Sequence, residues 1–399
     1  MSDGEPASPA EKKRARRAAR AAAADLPPTH AVLSRKPLAS AMSVSGLGRE
    51  GSRVYLHIGT MKSGTTFIQR RLQANAQALT DRGVLVPAAW GASVVAATRE
   101  VLGMSTPRGP ESVAGRWDAL CRQLAAWEGR ASIVSMEFFS TAEQEAVDRV
   151  IDGLRPSDIQ VLITARDLAR VIPSAWQEST QNAAVWTYEE YVDSIVAEDG
   201  ERPGSRFWRQ QNVADMIKSW GSAVGVENVH LITVPPSGSP PDLLWNRFCG
   251  AIGENGADFP EDIEESRANL ALGHASAEFM RRFNVELKAT NVNKQQYQQY
   301  VKRMVAKESL NQRKTEDKVV LPKKYASWVY ERGQRMVADI EATGVDVIGD
   351  LAELIPDTSR LTTDVHEVSE DEVVDAAVET IAVLVLELTR GYRRAKARE

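Results

Sequence analysis

The sequence has little of several things, and each shortage excludes something. It has two cysteines, Cys121 and Cys249, 128 positions apart in 399 residues. That excludes a disulfide framework and a cysteine zinc site, and it fits a reducing cytoplasm. Its five histidines (30, 57, 230, 274 and 366) are scattered, with no metal-ligand spacing, so no metal is expected. No apolar run reaches the roughly 20 residues of a membrane span. The first residues are acidic and small and lack an apolar core, so no secretory signal is expected. Neither charge sign dominates: the net charge is −5, which gives no general attraction to nucleic acid or to an anionic membrane.

Hydrophobic residues make up 43% of the chain, ample for one large core or two modest ones. The charge is unevenly placed. Residues 1–50 hold nine Lys/Arg against five Asp/Glu, concentrated in Glu11-Lys12-Lys13-Arg14-Ala15-Arg16-Arg17. This composition predicts a disordered basic tail; a docking patch for an acidic partner is the alternative.

From residue 51 the pattern changes. Val54, Leu56 and Ile58 alternate along a strand. Gly59-Thr60-Met61-Lys62-Ser63-Gly64 follows as a tight loop, and Thr65-Thr66 opens an amphipathic helix. Such a loop directs backbone N–H groups and the positive end of the helix dipole at one point. Lys62 adds a full charge, and Ser63, Thr65 and Thr66 add hydroxyls. The combination predicts an anion cradle. It is not a Walker A loop, in which the lysine follows the second glycine; here Lys62 precedes Gly64.

Further strands are predicted at 131–136, 158–164 and 228–234, with a short apolar piece at 82–87. Helices alternate with them, at 116–128, from Thr141-Ala142-Glu143-Gln144 to near Leu154, and around Ile172 and Trp176. This alternation predicts an α/β fold with a parallel sheet covered by helices on both faces. In such sheets ligands bind beyond the carboxyl ends of the strands. Three polar clusters follow strand ends: Lys62 to Thr66, Glu137, and Arg166 to Ser174. Residues 91–109 read as irregular. Beyond residue 255 strand signals fade, so residues 256–399 are expected to be mainly helical, completing the same domain or forming a lid over it. A capping box, Ser369-Glu370-Asp371-Glu372, opens a helix that runs to about Leu388. That helix is expected to meet the core or a second copy of the chain.

The order Lys62-Ser63-Gly64-Thr65-Thr66 resembles the 5′-phosphosulfate loop of the PAPS-dependent sulfotransferases (PAPS is 3′-phosphoadenosine 5′-phosphosulfate). Arg166 at a strand end, with Ser174 eight residues on, resembles that family's 3′-phosphate site. The likeness covers most of residues 53–250 and is greatest to bacterial members. It implies a P-loop-like sulfotransferase fold, PAPS as donor without a metal, and release of PAP. Gly59, Lys62, Ser63, Gly64, Thr65, Thr66, Arg166 and Ser174 would hold PAPS, with Lys62 catalytic. Glu137 would be the base that deprotonates the acceptor, with His57 the alternative. The acceptor, a carbohydrate, lipid or small metabolite, is left open. The family's Arg-Lys-Gly element has no clear copy; Arg313-Lys314-Thr315 and Arg267-Ala268-Asn269 are partial echoes. Trp186, Tyr188 and Trp208 either line an acceptor site or pack internally. A P-loop kinase and a non-catalytic PAP-binding or scaffolding protein are the competing readings.

Overall fold

The computed structural model describes residues 46–87, 93–106, 109–198, 200–260, 272–313, 316–361 and 368–396. The basic stretch before residue 46 and the Arg267 echo lie outside them, as do Lys314 and Thr315 of the other.

The centre is a six-stranded, all-parallel sheet in the order β2-β3-β1-β4-β5-β6. The strands are β1 (Arg53–His57), β2 (Val84–Leu85), β3 (Ala131–Ser135), β4 (Asp158–Ala165), β5 (Val229–Thr233) and β6 (Asp346–Ile348). Helices cover both faces, as the alternation predicts. β1 lies third in the sheet, and only its first residue, Arg53, is exposed. The two faces of β1 enter different cores. Val54 and Leu56 meet Val134, Trp117, Trp220 and the helix Val213–Val224. Tyr55 meets Ile68, Leu72, Trp245 and Phe248. Each such fully buried apolar side chain contributes roughly 1.5–3 kcal/mol.

The helices that follow β1 and β3 decide where a ligand fits. Helix α1 (Thr65–Ala74) follows β1 and packs on the Tyr55 face. The helix Gln144–Leu154 follows β3 and packs on the Val54 face. Neighbouring strands whose connections leave to opposite faces open a crevice at their carboxyl ends.

Four details differ from the sequence expectations. Residues 95–101 form a helix where irregular chain is expected. The helical run after β1 breaks at Asn75. The ordered body begins before residue 51: Gly46 and Gly48 donate to the carbonyls of Asp152 and Arg155, both at 2.8 Å. The C-terminal region is not purely helical. It contributes β6 as an edge strand, and Met336 and Ile340 of the helix Ala326–Glu341 enter the Val54-side core. β6 has three residues, Asp346-Val347-Ile348, too short to show a period.

Beyond the sheet, helix α2 (Leu168–Gln181) and the C-terminal helices share a third core around Trp176, Val192, Met280 and Val301. Among the described residues, no helix is long and apolar enough to cross a membrane.

Candidate active site

The loop after β1 is built by close approach. Ile58 and Thr60 donate to the carbonyls of Leu162 and Thr164, both at 2.9 Å, so the chain stays against β4 past the strand end. A Cβ on Gly59 would lie 2.1 Å from Thr164 Oγ1, which leaves only glycine for that position. Lys62 then takes φ 68° and Gly64 φ 85°, both left-handed. Gly64 caps α1 with no side-chain hydrogen bond, and the first turn of α1 carries no acid. The positive helix end is therefore neither capped nor neutralised from within its own turn. Gln211 holds the loop from outside, its Nε2 donating to the Met61 carbonyl at 2.8 Å.

A cleft of about 1800 Å3 opens over this loop. Lys62, Gly64, Thr65, Thr66, Glu137, Arg166 and Ser174 all line it. Gly59, Ser63 and His57 do not. Ser63 is buried; its hydroxyl donates to the Thr60 carbonyl at 2.6 Å and lies 2.7 Å from Thr164 Oγ1. The hydroxyl expected to meet an anion instead fastens the loop. Thr65 Oγ1, by contrast, is buried with no partner among the described residues.

Arg166 has Asp167 as its chain neighbour, yet the two are not paired. Asp167 caps α2, accepting from Arg170 N at 3.0 Å and pairing with the Arg170 guanidinium. Arg170 also donates to the Pro235 carbonyl at 2.7 Å. Arg166 is left half-buried on the cleft wall, with its Nε unpartnered among the described residues. Burial, with Arg170 adding to it and Asp167 opposing, draws its pKa down to about 10. It stays charged at neutral pH. Ser174, two turns along α2, donates back to the Arg170 carbonyl at 3.1 Å.

Glu137 begins a 3-10 turn directly after β3. The side-chain amide of Gln69, on α1, donates to its Oε2 at 3.1 Å and reaches the Ser135 carbonyl and hydroxyl at 3.3 Å. His57 is fully buried one layer below. Its Nδ1 lies 2.7 Å from Ser135 Oγ and its Nε2 3.2 Å from Thr164 Oγ1, so it ties β1 to β3 and β4. Burial drives its pKa from 6.5 to about 3. With both ring nitrogens engaged and no face on the cleft, His57 has a structural place here rather than that of a base.

Three residues, two lining the cleft and one behind Glu137, were not legible as such in the sequence. Glu178, one turn beyond Ser174 on α2, lies 3.1 Å from Lys62 Nζ. Burial alone would raise its carboxyl, but Lys62, Lys302 and Arg206 together hold it below its ordinary value. Lys302 approaches from the C-terminal region, donating to Asn182 Oδ1 at 2.7 Å; burial pulls its pKa down. Gln69 is the third. The i,i+4 spacings Thr65–Gln69 and Ser174–Glu178 are the signals that point to two of them.

Nine Lys/Arg and six Asp/Glu line the cleft, an excess that favours an anionic ligand. Arg313 is among them, engaged by Glu316 and by Glu379 at 2.6 Å. Trp186, Tyr188 and Trp208 do not line it; they pack with the α2 core. Among the described residues, no three His, Cys, Asp or Glu side chains are placed to hold a metal.

No family model and no curated protein sequence matches the chain. Among solved structures, a sulfotransferase from Alicyclobacillus acidocaldarius is similar, at 15% identity and a TM-score of 0.36. The match covers 59% of this chain and 94% of that one. At that level the likeness carries no functional weight.

Proposed function

We propose that the cleft transfers a sulfuryl group from PAPS to a hydroxyl or amine of an acceptor, releasing PAP. The carrying observation is that Lys62, the uncapped start of α1, Arg166, Ser174 and Glu137 line one cleft at the carboxyl ends of adjacent parallel strands.

The donor set suits a nucleotide with two charged ends. Thr65 Oγ1 and Arg166 Nε are buried polar atoms without partners, and a buried donor is costly to leave unmet. An anionic oxygen at each would satisfy both. Lys62 and the first-turn N–H groups of α1 would hold the 5′-phosphate end. Arg166 and Ser174 would hold the 3′-phosphate, where a planar, permanently charged fork suits the oxygens. PAPS, when bound, supplies a sulfuryl group on a phosphate leaving group. Glu137 would take the acceptor proton, held in orientation by Gln69. Lys62 would keep positive charge where the departing oxygen becomes negative. The cleft exceeds the roughly 300–1000 Å3 of a single small-ligand site, so an acceptor fits beside the donor. The reading places the reaction in the cytoplasm, where the buried thiols Cys121 and Cys249 stay reduced.

Thermal denaturation with PAP, magnesium ATP or AMP tests the donor site. At a hundredfold excess over its Kd, a ligand specific for the native state adds about 2.7 kcal/mol, a rise of several degrees. PAP is expected to give that rise and ATP little. An equal rise with ATP, or none with PAP, would overturn the assignment.

A further inference from the structure

The last helix, α3 (Glu370–Lys396), runs 27 residues, about 40 Å. It shows the body one face. Val373, Ala376 and Thr380 are buried, and Leu384 packs against the α2 core. The other face carries Val374, Val378, Ile381, Val385 and Leu388, between 54% and 72% exposed. Their spacing is 4, 3, 4 and 3, the seam of a coiled coil rather than scattered surface apolars. The Ser369–Glu372 capping box at its start is formed, with Ser369 N donating to Glu372 Oε2 at 2.8 Å and Glu372 N to Ser369 Oγ at 3.3 Å.

Charge along α3 is segregated. Residues 370–379 hold five carboxylates and no base; residues 387–396 hold four bases and one carboxylate. The helix dipole accounts for the sign at each end, but not for the apolar seam between them. Glu370 and Glu379 are used within the chain, by Arg282 and Arg313. Asp371 and Asp375, flanking Val374, have no ion-pair partner among the described residues.

We propose that two copies of the chain dimerise through antiparallel pairing of α3 along this seam. Placing Ile381 on the two-fold axis sets Val374 against the partner's Leu388 and Val378 against the partner's Val385. The seam is then self-complementary, as a two-fold contact requires. In this register Arg390 and Arg393 come opposite the partner's first turn, which carries Glu370, Asp371 and Glu372, while Asp375 comes opposite the partner's Glu387. Parallel pairing would set acid on acid and base on base. The five carboxylates also oppose seating of this face on an anionic membrane, which favours helices with a basic polar face. Glu379 joins α3 to Arg313 on the cleft wall, so the contact adjoins the site without forming part of it.

Light scattering during size exclusion at about 50 µM is expected to give twice the 43.8 kDa chain mass. Ile381→Glu combined with Val385→Glu is expected to give a monomer with unchanged circular dichroism. Val285→Glu, an exposed site on the neighbouring helix, stays dimeric. Cysteine cross-linking under a mild added oxidant reads the orientation, since both native thiols are buried. Ile381→Cys alone should cross-link, and Val374→Cys should do so only when mixed with Leu388→Cys. A monomeric wild type, self-linking of Val374→Cys as fast as in the mixture, or sedimentation of a monomer with phosphatidylserine vesicles would each overturn the proposal.

Discussion

Lys62 Nζ and Glu178 Oε2 lie 3.1 Å apart, joining the loop after β1 to the third turn of α2. The cation best placed to meet an anion is thus held by a carboxylate that the same anion must displace or share. Both side chains are about one-third exposed, so the pair is worth about 0.2–1 kcal/mol.

Glu178→Gln is therefore expected to tighten PAP binding about two- to fivefold at low salt, with the gain shrinking as salt rises. Titration calorimetry at two ionic strengths checks this. Weaker binding would mean that Glu178 orients Lys62 rather than competing for it.

Lys62→Ala is expected to cut transfer by a factor of 100 or more while PAP still binds, because the charge acts chiefly where negative charge develops. Single-turnover assays with labelled PAPS would show it. Normal turnover in this variant would sink the mechanism.

Glu137→Gln is expected to lower turnover by about two to four orders of magnitude. Gln69→Ala, which removes the 3.1 Å bond to Glu137 together with the two 3.3 Å contacts to Ser135, should cost about tenfold. PAP binding should be unchanged in both. If Gln69 merely supports the fold, its loss will lower the melting temperature and leave turnover per folded molecule unaltered.

Arg166→Ala separates binding from stability. Its Nε is buried without a partner, so the free protein should melt at the same or a higher temperature. PAP binding should weaken about ten- to hundredfold, the worth of charge-assisted bonds to phosphate. A large drop in the melting temperature of the free protein would show that the guanidinium is already used.

His57 gives a pH signature. Burial holds its folded pKa near 3 against an ordinary 6.5, so the unfolded chain binds the proton more readily. Its contribution to stability is complete above pH 6.5 and declines on acidification, by about 1.4 kcal/mol per pH unit well below 6.5, until about pH 3. Urea melts at pH 7, 6 and 5 should show a steeper decline in wild type than in His57→Asn. Equal slopes would contradict the buried, neutral state.

The alternation of apolar strands with amphipathic helices, the glycine loop and its placement before α1 are all legible in the sequence, because they are local. Val54, Leu56 and Ile58 repeat with period two, and Gly59 and Gly64 mark where the backbone must turn or make room. The Ser369 capping box is equally local, and it forms. The break at Asn75 is not foreshadowed, because the apolar spacing runs on through Leu79.

What the tertiary structure decided depends on partners distant in the chain. His57 looks like a base until Ser135 and Thr164, 78 and 107 residues away, take both its nitrogens. Ser63 looks like a ligand until Thr164 claims its hydroxyl. Arg166 is left without Asp167 because Asp167 turns to Arg170 and the helix it caps. β6 becomes a strand only because β5 offers an open edge to three residues from more than a hundred positions later. By itself the sequence determined the four central strands, the loop and the kinds of chemistry available. Which of those side chains face the cleft was settled by packing, because a polar group is free to act only where nothing else in the fold has already satisfied it.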